Sequence, residues 1–140
     1  MATELLLTPE SRYIAAVALL TIVGIETGGW FLTRVLRGKV AMTEFQKNFA
    51  RAGHAHAGVL VTLGLVMLLL ADAGGVHGVL GWTGRVGVLL AAALISAGFF
   101  FSSMGSGEIT RPNRLIALIW LGAASLAIGV ISLAIGLLAG

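Results

Sequence analysis

Residues 115–140 read LIALIWLGAASLAIGVISLAIGLLAG and contain no charged side chain. The hydrocarbon core of a bilayer is about 30 Å thick, and an α-helix needs roughly 20 residues to cross it. Three earlier stretches between charged residues have a similar length, and only Glu26 interrupts them; they are residues 13–33, 52–71 and 86–107. The chain therefore contains four segments that are long and apolar enough to cross a membrane.

The composition of the 140-residue chain agrees with this interpretation. Hydrophobic residues make up 58% of the chain and charged residues 11%, whereas a soluble domain carries about 25% charged residues. The mean hydropathy is +1.01. These values exclude an ordinary soluble domain and a disordered chain. Because the chain has no cysteine, it forms no disulfide, zinc–thiolate site or iron–sulfur site.

The pattern of the apolar segments predicts helices. Only helices and closed barrels satisfy the backbone hydrogen bonds inside lipid. The segments lack period-two alternation and are much longer than barrel strands of about ten residues. We predict an all-α fold, in which residues 1–140 form one integral membrane domain, a four-transmembrane-helix bundle of antiparallel, up-down hairpins. The predicted helices cover roughly residues 9–36, 44–72, 84–104 and 113–138.

Two of the predicted helices begin with capping signals. Thr8 precedes Pro9, which suits the first helical position, and Thr43 is spaced from Gln46 as in a capping box.

The cations predict the orientation. Of the nine Lys and Arg residues, all but Arg12 and Arg85 lie near the first and third interhelical loops. Loops on the cytoplasmic side carry the excess of Lys and Arg, so both termini are expected on the outer side of the cytoplasmic membrane. The same distribution accounts for the pI of 10.2. The basic character therefore indicates topology, and no nucleic-acid partner is predicted.

Three ionisable residues are expected well inside the membrane: Glu26 in the first predicted helix, and His54 and His56 in the second. An ionisable group at mid-bilayer costs roughly 2.5–3.5 kcal/mol on insertion scales and therefore marks a candidate functional site. The first loop is centred near residue 40, so Glu26 and His54 are expected at a similar depth. The two histidines lie about 200° apart around their helix. They flank a stripe of small residues: Gly53, Ala57 and Gly64.

Three interpretations of these residues remain open. Glu26 pairs with a histidine, or is protonated, and locks the first helix to the second. Alternatively, Glu26, His54 and His56 form a protonatable gate or a ligand-binding site in a channel or transporter. In the third interpretation the histidines bind haem b, or the three side chains form a two-histidine–one-carboxylate metal site. Because both histidines lie on one helix, bis-histidine ligation of a haem needs a symmetric dimer or a partner subunit.

We expect a proton-responsive channel or transport component in which Glu26 exchanges a proton or cation with His54 or His56. The alternative is a non-catalytic accessory subunit, or a haem- or metal-binding subunit, of a respiratory-type membrane complex. We predict no catalytic residue, since no nucleophile–base pair or metal quartet is present, and no cofactor besides the haem b of the alternative. Small residues on the helices favour a homo-oligomer or a partner membrane subunit within the bilayer.

Residues 49–58, FARAGHAHAG, follow the run Glu26-Thr27-Gly28-Gly29. Together they resemble segments of small four-helix bacterial membrane proteins. This resemblance covers most of the chain and implies the four-helix membrane fold but no activity. The H-x-H at the start of an apolar helix is also similar to segments of multi-helix haem proteins of the respiratory type. That similarity covers residues 49–58 and implies haem ligation by His54 or His56, although the chain lacks the further histidines that those proteins use.

Overall fold

The computed structural model describes residues 7–140, and this part of the chain contains helices and no strand. The helices are α1 (Pro9–Leu36), α2 (Glu44–Ala73), α3 (Gly78–Ser102) and α4 (Ala117–Ala139), the last preceded by a 3₁₀ turn over Arg114–Ile116. All four are long and apolar enough to cross a membrane. The prediction of an all-α protein is thereby confirmed, and the length and apolar character of its four helices fit the architecture of a multi-pass membrane protein.

Both predicted capping signals are formed. The Thr8 side chain accepts a hydrogen bond from the Ser11 amide, and Pro9 occupies the first helical position of α1. At the start of α2 the Thr43 hydroxyl accepts from the Gln46 amide at 3.2 Å, while the Gln46 side chain accepts from the Thr43 amide at 3.0 Å. These bonds satisfy amide groups that have no partner within the helix. The starts of α1 and α2 agree with the predicted ones.

The prediction for the start of α3 was wrong. This helix begins at Gly78, well before the predicted start at residue 84. Gly75 and Gly78 adopt positive φ angles of 61° and 65°, which let the chain turn tightly between α2 and α3. Arg85, expected next to a loop at the start of the helix, therefore lies inside α3 and is 5% exposed.

α2 and α3 form the centre of the molecule, and α4 packs closely on α3. Buried side chains of the two central helices make most of the core; they include Leu60, Val61, Met67, Val88, Ala91 and Ile95. Gly87 and Gly129 bring the backbones of α3 and α4 together, since a Cβ atom at Gly87 would lie 2.7 Å from the Gly129 Cα. The Ser125 hydroxyl donates to the Gly87 carbonyl at 2.8 Å. Small residues thus allow the backbones of α3 and α4 to approach each other closely.

α1 is the least buried helix. Within its most apolar 18-residue window, 6% of the residues are buried, compared with 39% in α3. α1 packs mainly on α2 and makes no substantial contact with α4 in the described part of the chain. One side of α1 is therefore left open, and a groove separates it from α2 and α3.

Candidate functional site

His54 lies in the contact between α1 and α2, and its imidazole packs against Gly28 and Gly29. A Cβ atom at Gly29 would lie 3.2 Å from the His54 Cε1 and 3.3 Å from its Nε2. At Gly28 the corresponding distance, to the His54 Nδ1, would be 3.4 Å. The two glycines therefore provide the space in which the ring approaches the backbone of α1.

Glu26 lies at the edge of this contact. It precedes Gly29 by three positions, which places the two residues about 60° apart around the helix. Glu26 is exposed. Residues 7–140 form two side-chain ion pairs, Lys47–Glu44 and Arg85–Asp72, and Glu26 takes part in neither. The structure thus brings His54 to α1 without an ion pair between it and Glu26.

His56 faces α3. Its ring lies against that of Phe99, with 5.1 Å between the centroids. The His56 Nδ1 is 2.7 Å from the Ala52 carbonyl oxygen. Because a carbonyl can only accept, Nδ1 carries the proton, and in the neutral ring Nε2 is left as the nitrogen with a free lone pair. His54 and His56 therefore contact different helices.

The predicted small-residue stripe on α2 contacts α3 at two of its three positions. A Cβ atom at Gly53 would lie 3.1 Å from the Phe100 ring, and one at Gly64 would collide with the side chain of Leu89. Ala57, the third member, lines the groove between α1, α2 and α3. The stripe thus serves mainly the close packing of the central helices.

Glu26, His54 and His56 do not form a metal site within one chain. Among the residues that the structure describes, no group of three or more His, Cys, Asp or Glu side chains could hold a metal ion. The two-histidine–one-carboxylate site is therefore not assembled in the single chain. A haem bound by two of these histidines would require ligands from more than one chain.

The most extensive polar contact among the described residues involves two residues that the sequence analysis did not select. Asp72, near the end of α2, and Arg85 of α3 form an ion pair of 2.6 Å, and their side chains are 2% and 6% exposed. The Arg85 Nε also donates to Asp72 at 3.1 Å, and its Nη1 donates to the Val76 carbonyl at 3.0 Å. Both charges are thus compensated although they are almost completely buried.

The same carboxylate holds the start of α1. The Thr8 amide donates to the Asp72 Oδ2 at 2.9 Å, and the Ser11 hydroxyl donates to its Oδ1 at 3.0 Å. The Arg85 Nε donates to the Ser11 hydroxyl oxygen at 3.1 Å. We call these residues, Thr8, Ser11, Asp72, Val76 and Arg85, the Asp72 cluster. It joins α1, α2 and α3 at one end of the molecule.

The opposite end of α2 holds the loop that connects α3 to α4. Gln46 is 7% exposed, and its Nε2 donates to the Ser103 carbonyl at 3.0 Å. The Thr43 hydroxyl donates to the Ile109 carbonyl at 2.6 Å. The capping-box residues of α2 therefore also position a loop that is distant in the sequence.

The groove beside α1 has a volume of about 530 Å³ and a lining that is almost entirely apolar. Small-molecule sites in proteins commonly have volumes of about 300–1,000 Å³. Ser96 lies on the α3 wall of the groove. Its hydroxyl oxygen is, within residues 7–140, the one buried side-chain polar atom that has no hydrogen-bond partner.

A scan of protein-family models finds no match for this chain, and searches of curated proteins and of solved structures find none either. Function is therefore inferred from the geometry of the chain itself.

Proposed function

We propose that the protein is a proton-responsive component of a membrane transport assembly. The observation that supports this proposal concerns Glu26. Its ionisable side chain is exposed on a membrane-spanning helix and takes part in neither of the two ion pairs found within residues 7–140. An ionised carboxylate facing lipid costs roughly 2.5–3.5 kcal/mol on insertion scales. Glu26 is therefore either protonated in the membrane or in contact with polar groups of another chain.

In our proposal, a change in the charge of Glu26 alters the position of part of α1. The start of α1 is held by hydrogen bonds to Asp72, whereas its second half contacts α2 through close packing of His54 on two glycines. A neutral Glu26 side chain can face lipid at a low free-energy cost, whereas an ionised one is more stable in polar surroundings. In our proposal the charge on Glu26 selects between two positions of the second half of α1.

In our proposal, protons or cations move along a polar path between chains. The groove within a single chain is lined almost entirely by apolar side chains, which do not suit a hydrated ion. α1 presents its exposed side, including Glu26, away from the core. A homo-oligomer or a partner membrane subunit that meets this side would surround Glu26 with a second surface.

We further propose antiparallel hairpins with both termini on the outer side of the cytoplasmic membrane. Two contacts support the first hairpin: the start of α1 bonds to Asp72 near the end of α2, and Gly29 of α1 meets His54 in the first half of α2. The Lys and Arg residues near the first and third loops support the orientation.

Proton flux into vesicles that contain the purified protein and a pH-sensitive dye tests the proposal. We expect flux from the wild-type protein, and we expect Glu26→Gln to reduce it to the level of protein-free vesicles. Glu10→Gln makes the same chemical change on the same helix outside the apolar stretch and should leave the flux unchanged. Full pH-dependent flux in Glu26→Gln would rule out the proposed role, as would a wild-type protein without flux.

A second function, a haem-binding accessory subunit of a respiratory-type membrane complex, is favoured by one observation. The Nδ1 of His56 is bonded to a backbone carbonyl, which leaves Nε2 free on an exposed ring. Histidines that bind metals are commonly held in this way. An absorption spectrum and a metal analysis of the purified protein test this function. A Soret band that is lost in His56→Ala and kept in His77→Ala would support it, whereas a colourless, metal-free protein would contradict it.

A further inference from the structure

One side of the helices α1 and α2 faces away from α3. On α2, Gly53 packs against Phe100 of α3, and Arg51 lies about 160° from Gly53 around the helix. On α1, Val17 lines the groove that α1 and α2 form with α3, and Glu26 lies about 180° from Val17. Glu26 and Arg51 are both exposed. We call the side of the two helices that carries Glu26 and Arg51 the α1–α2 face.

Four charged side chains follow a regular order on the α1–α2 face. On α1, Arg37 at the end of the helix lies about 20° from Glu26 around the axis. On α2, Glu44 at the start of the helix lies about 20° from Arg51. Each helix therefore presents one acidic and one basic side chain. From the connecting loop inwards, the basic one comes first on α1 and the acidic one comes first on α2.

These charges are largely without partners in their own chain. Glu44 is bonded to Lys47, which uses one oxygen of its carboxylate. Glu26, Arg37 and Arg51 form no ion pair within residues 7–140. Ionisable side chains in membrane-spanning segments usually pair with one another, because an unpaired charge in lipid is costly. The free charges therefore favour a partner surface on another chain.

The depths of the four charges match between the two helices. We measure them along the helices from the contact of His54 with α1, at about 1.5 Å per residue. Arg37 and Glu44 then lie about 13 Å and about 15 Å towards the connecting loop. Arg51 lies about 5 Å towards the loop, and Glu26 about 4 Å away from it. The long side chains of arginine and glutamate can bridge this last offset.

The α1–α2 face also has room for close contact between helices. Ala55 and Gly58 follow Arg51 on the same side of α2, within about 40°. A Cβ atom at Gly58 would meet nothing within 4 Å. Small residues let helices approach closely in lipid, so a neighbouring helix can lie against this part of α2.

We propose that the α1–α2 face binds the same face of a second copy of this chain, in a parallel dimer with two-fold symmetry. A two-fold axis normal to the membrane places α1 of each chain opposite α2 of the other. Glu26 then pairs with the partner's Arg51, and Arg37 with the partner's Glu44. The charge pattern is thus complementary to itself. This inference rests on the proposed function, since it names the second chain that meets Glu26.

Förster transfer between donor- and acceptor-labelled copies of the full-length protein in detergent micelles tests the dimer. The chain has no cysteine, so the labels attach at Ser106→Cys, an exposed position between α3 and α4. We expect wild-type chains to associate. Glu26→Arg and Arg51→Glu each bring like charges together and should each weaken association about tenfold or more. Glu10→Arg and Arg114→Glu make the same changes away from the α1–α2 face and should leave association unchanged.

A mixture of Glu26→Arg chains with Arg51→Glu chains distinguishes a pair between chains from a pair within one chain. In the mixed dimer each contact again joins opposite charges, because one chain carries both cations and the other both acids. We expect the mixed dimer to form with about the wild-type affinity. Recovery in one chain that carries both substitutions, without recovery in the mixture, would place the pair within a chain and overturn the proposal.

Glu26→Gln and Arg51→Gln remove one charge without reversing it, and they replace any reversed variant that fails to fold. Each should weaken association about two- to tenfold. Wild-type chains that stay monomeric would overturn the proposal, as would association that none of these substitutions changes. Proton flux is measured separately. Flux from a monomeric protein would therefore contradict this inference alone, and a dimer without flux would contradict the proposed function alone.

Discussion

The two halves of α1 are attached to the rest of the molecule by different interactions. In the first half, Ser11 is bonded to Asp72 and Arg85, whose ion pair is almost completely buried. In the second half, the imidazole of His54 packs against two glycines, and Glu26 takes part in neither ion pair of the described residues. Hydrogen bonds to charged groups are directional and strong, while packing of a ring on a smooth backbone constrains position less.

This difference has a consequence for function. A helix that is held by hydrogen bonds to charged groups at one end, and by packing of side chains at the other, can change position at the second end without loss of its anchor. We call this second half of α1 the loose half, and its end the loose end. Glu26 lies in the loose half, whereas the α1 wall of the apolar groove lies mostly along the anchored half. We infer that the Asp72 cluster stabilises the fold, whereas the second half of α1 is the part that responds to charge.

The largest expected effect comes from the anchored half. Asp72→Ala leaves the buried Arg85 without its partner and should lower the free energy of unfolding by about 3–5 kcal/mol. The measurement is a denaturant titration of the protein in detergent micelles. Glu44→Ala breaks the exposed Lys47–Glu44 pair, and we expect little change because exposed ion pairs contribute little. Equal stabilities of the two variants would show that the Asp72 cluster is no anchor.

The helices were predictable because their cause is local. A stretch without charge that is long enough to cross a bilayer has one favourable state in lipid, and the capping residues act within a single turn. The Asp72 cluster depends on three helices meeting, which spacing along the chain does not determine. Its signal was available, since Asp72 and Arg85 have opposite charges and lie at facing ends of consecutive apolar stretches.

The candidate site was only partly predictable, for a related reason. Counting residues from the first loop placed Glu26 and His54 at a similar depth, and in the structure His54 meets α1 at Gly28 and Gly29, within one turn of Glu26. The rotation of α1 about its axis could not be predicted, because apolar side chains of α1 project from all sides of this helix. That rotation decides that glycines, and not the carboxylate, contact the imidazole.

The second prediction concerns the packing of His54. Gly29→Leu places a side chain where the imidazole lies and should separate α1 from α2. Gly24→Leu adds the same side chain to the same helix at a position where a Cβ atom meets nothing within 4 Å. We expect Gly29→Leu to be less stable than Gly24→Leu by about 1–3 kcal/mol in the same titration, the usual cost of overpacking. A smaller difference than that would mean that the contact of α1 with His54 contributes little.

The smallest expected effect is a movement of the second half of α1 with pH. It tests directly whether the two halves of α1 are attached differently to the rest of the molecule. The chain has no cysteine, so spin labels attach only at introduced ones. Exposed positions are Thr33 and Arg51 for the loose half, and Arg12 and Ala73 for the anchored half. With labels at Thr33→Cys and Arg51→Cys, the distance between them should shift with pH by less than one helical turn, about 5 Å. The shift should disappear when Glu26→Gln is added.

The labels at Arg12→Cys and Ala73→Cys should keep one distance at every pH, because the Asp72 cluster joins the helices at that end. Equal shifts at both ends would mean that α1 moves as a rigid body and is not anchored by its first turn. A constant distance at both ends would mean that the charge on Glu26 does not move α1, and its role would then be confined to contact with a neighbouring chain. A distance that shifts with pH at the loose end, and that no longer shifts in Glu26→Gln, is the one result that links the charge of this carboxylate to a change in the fold.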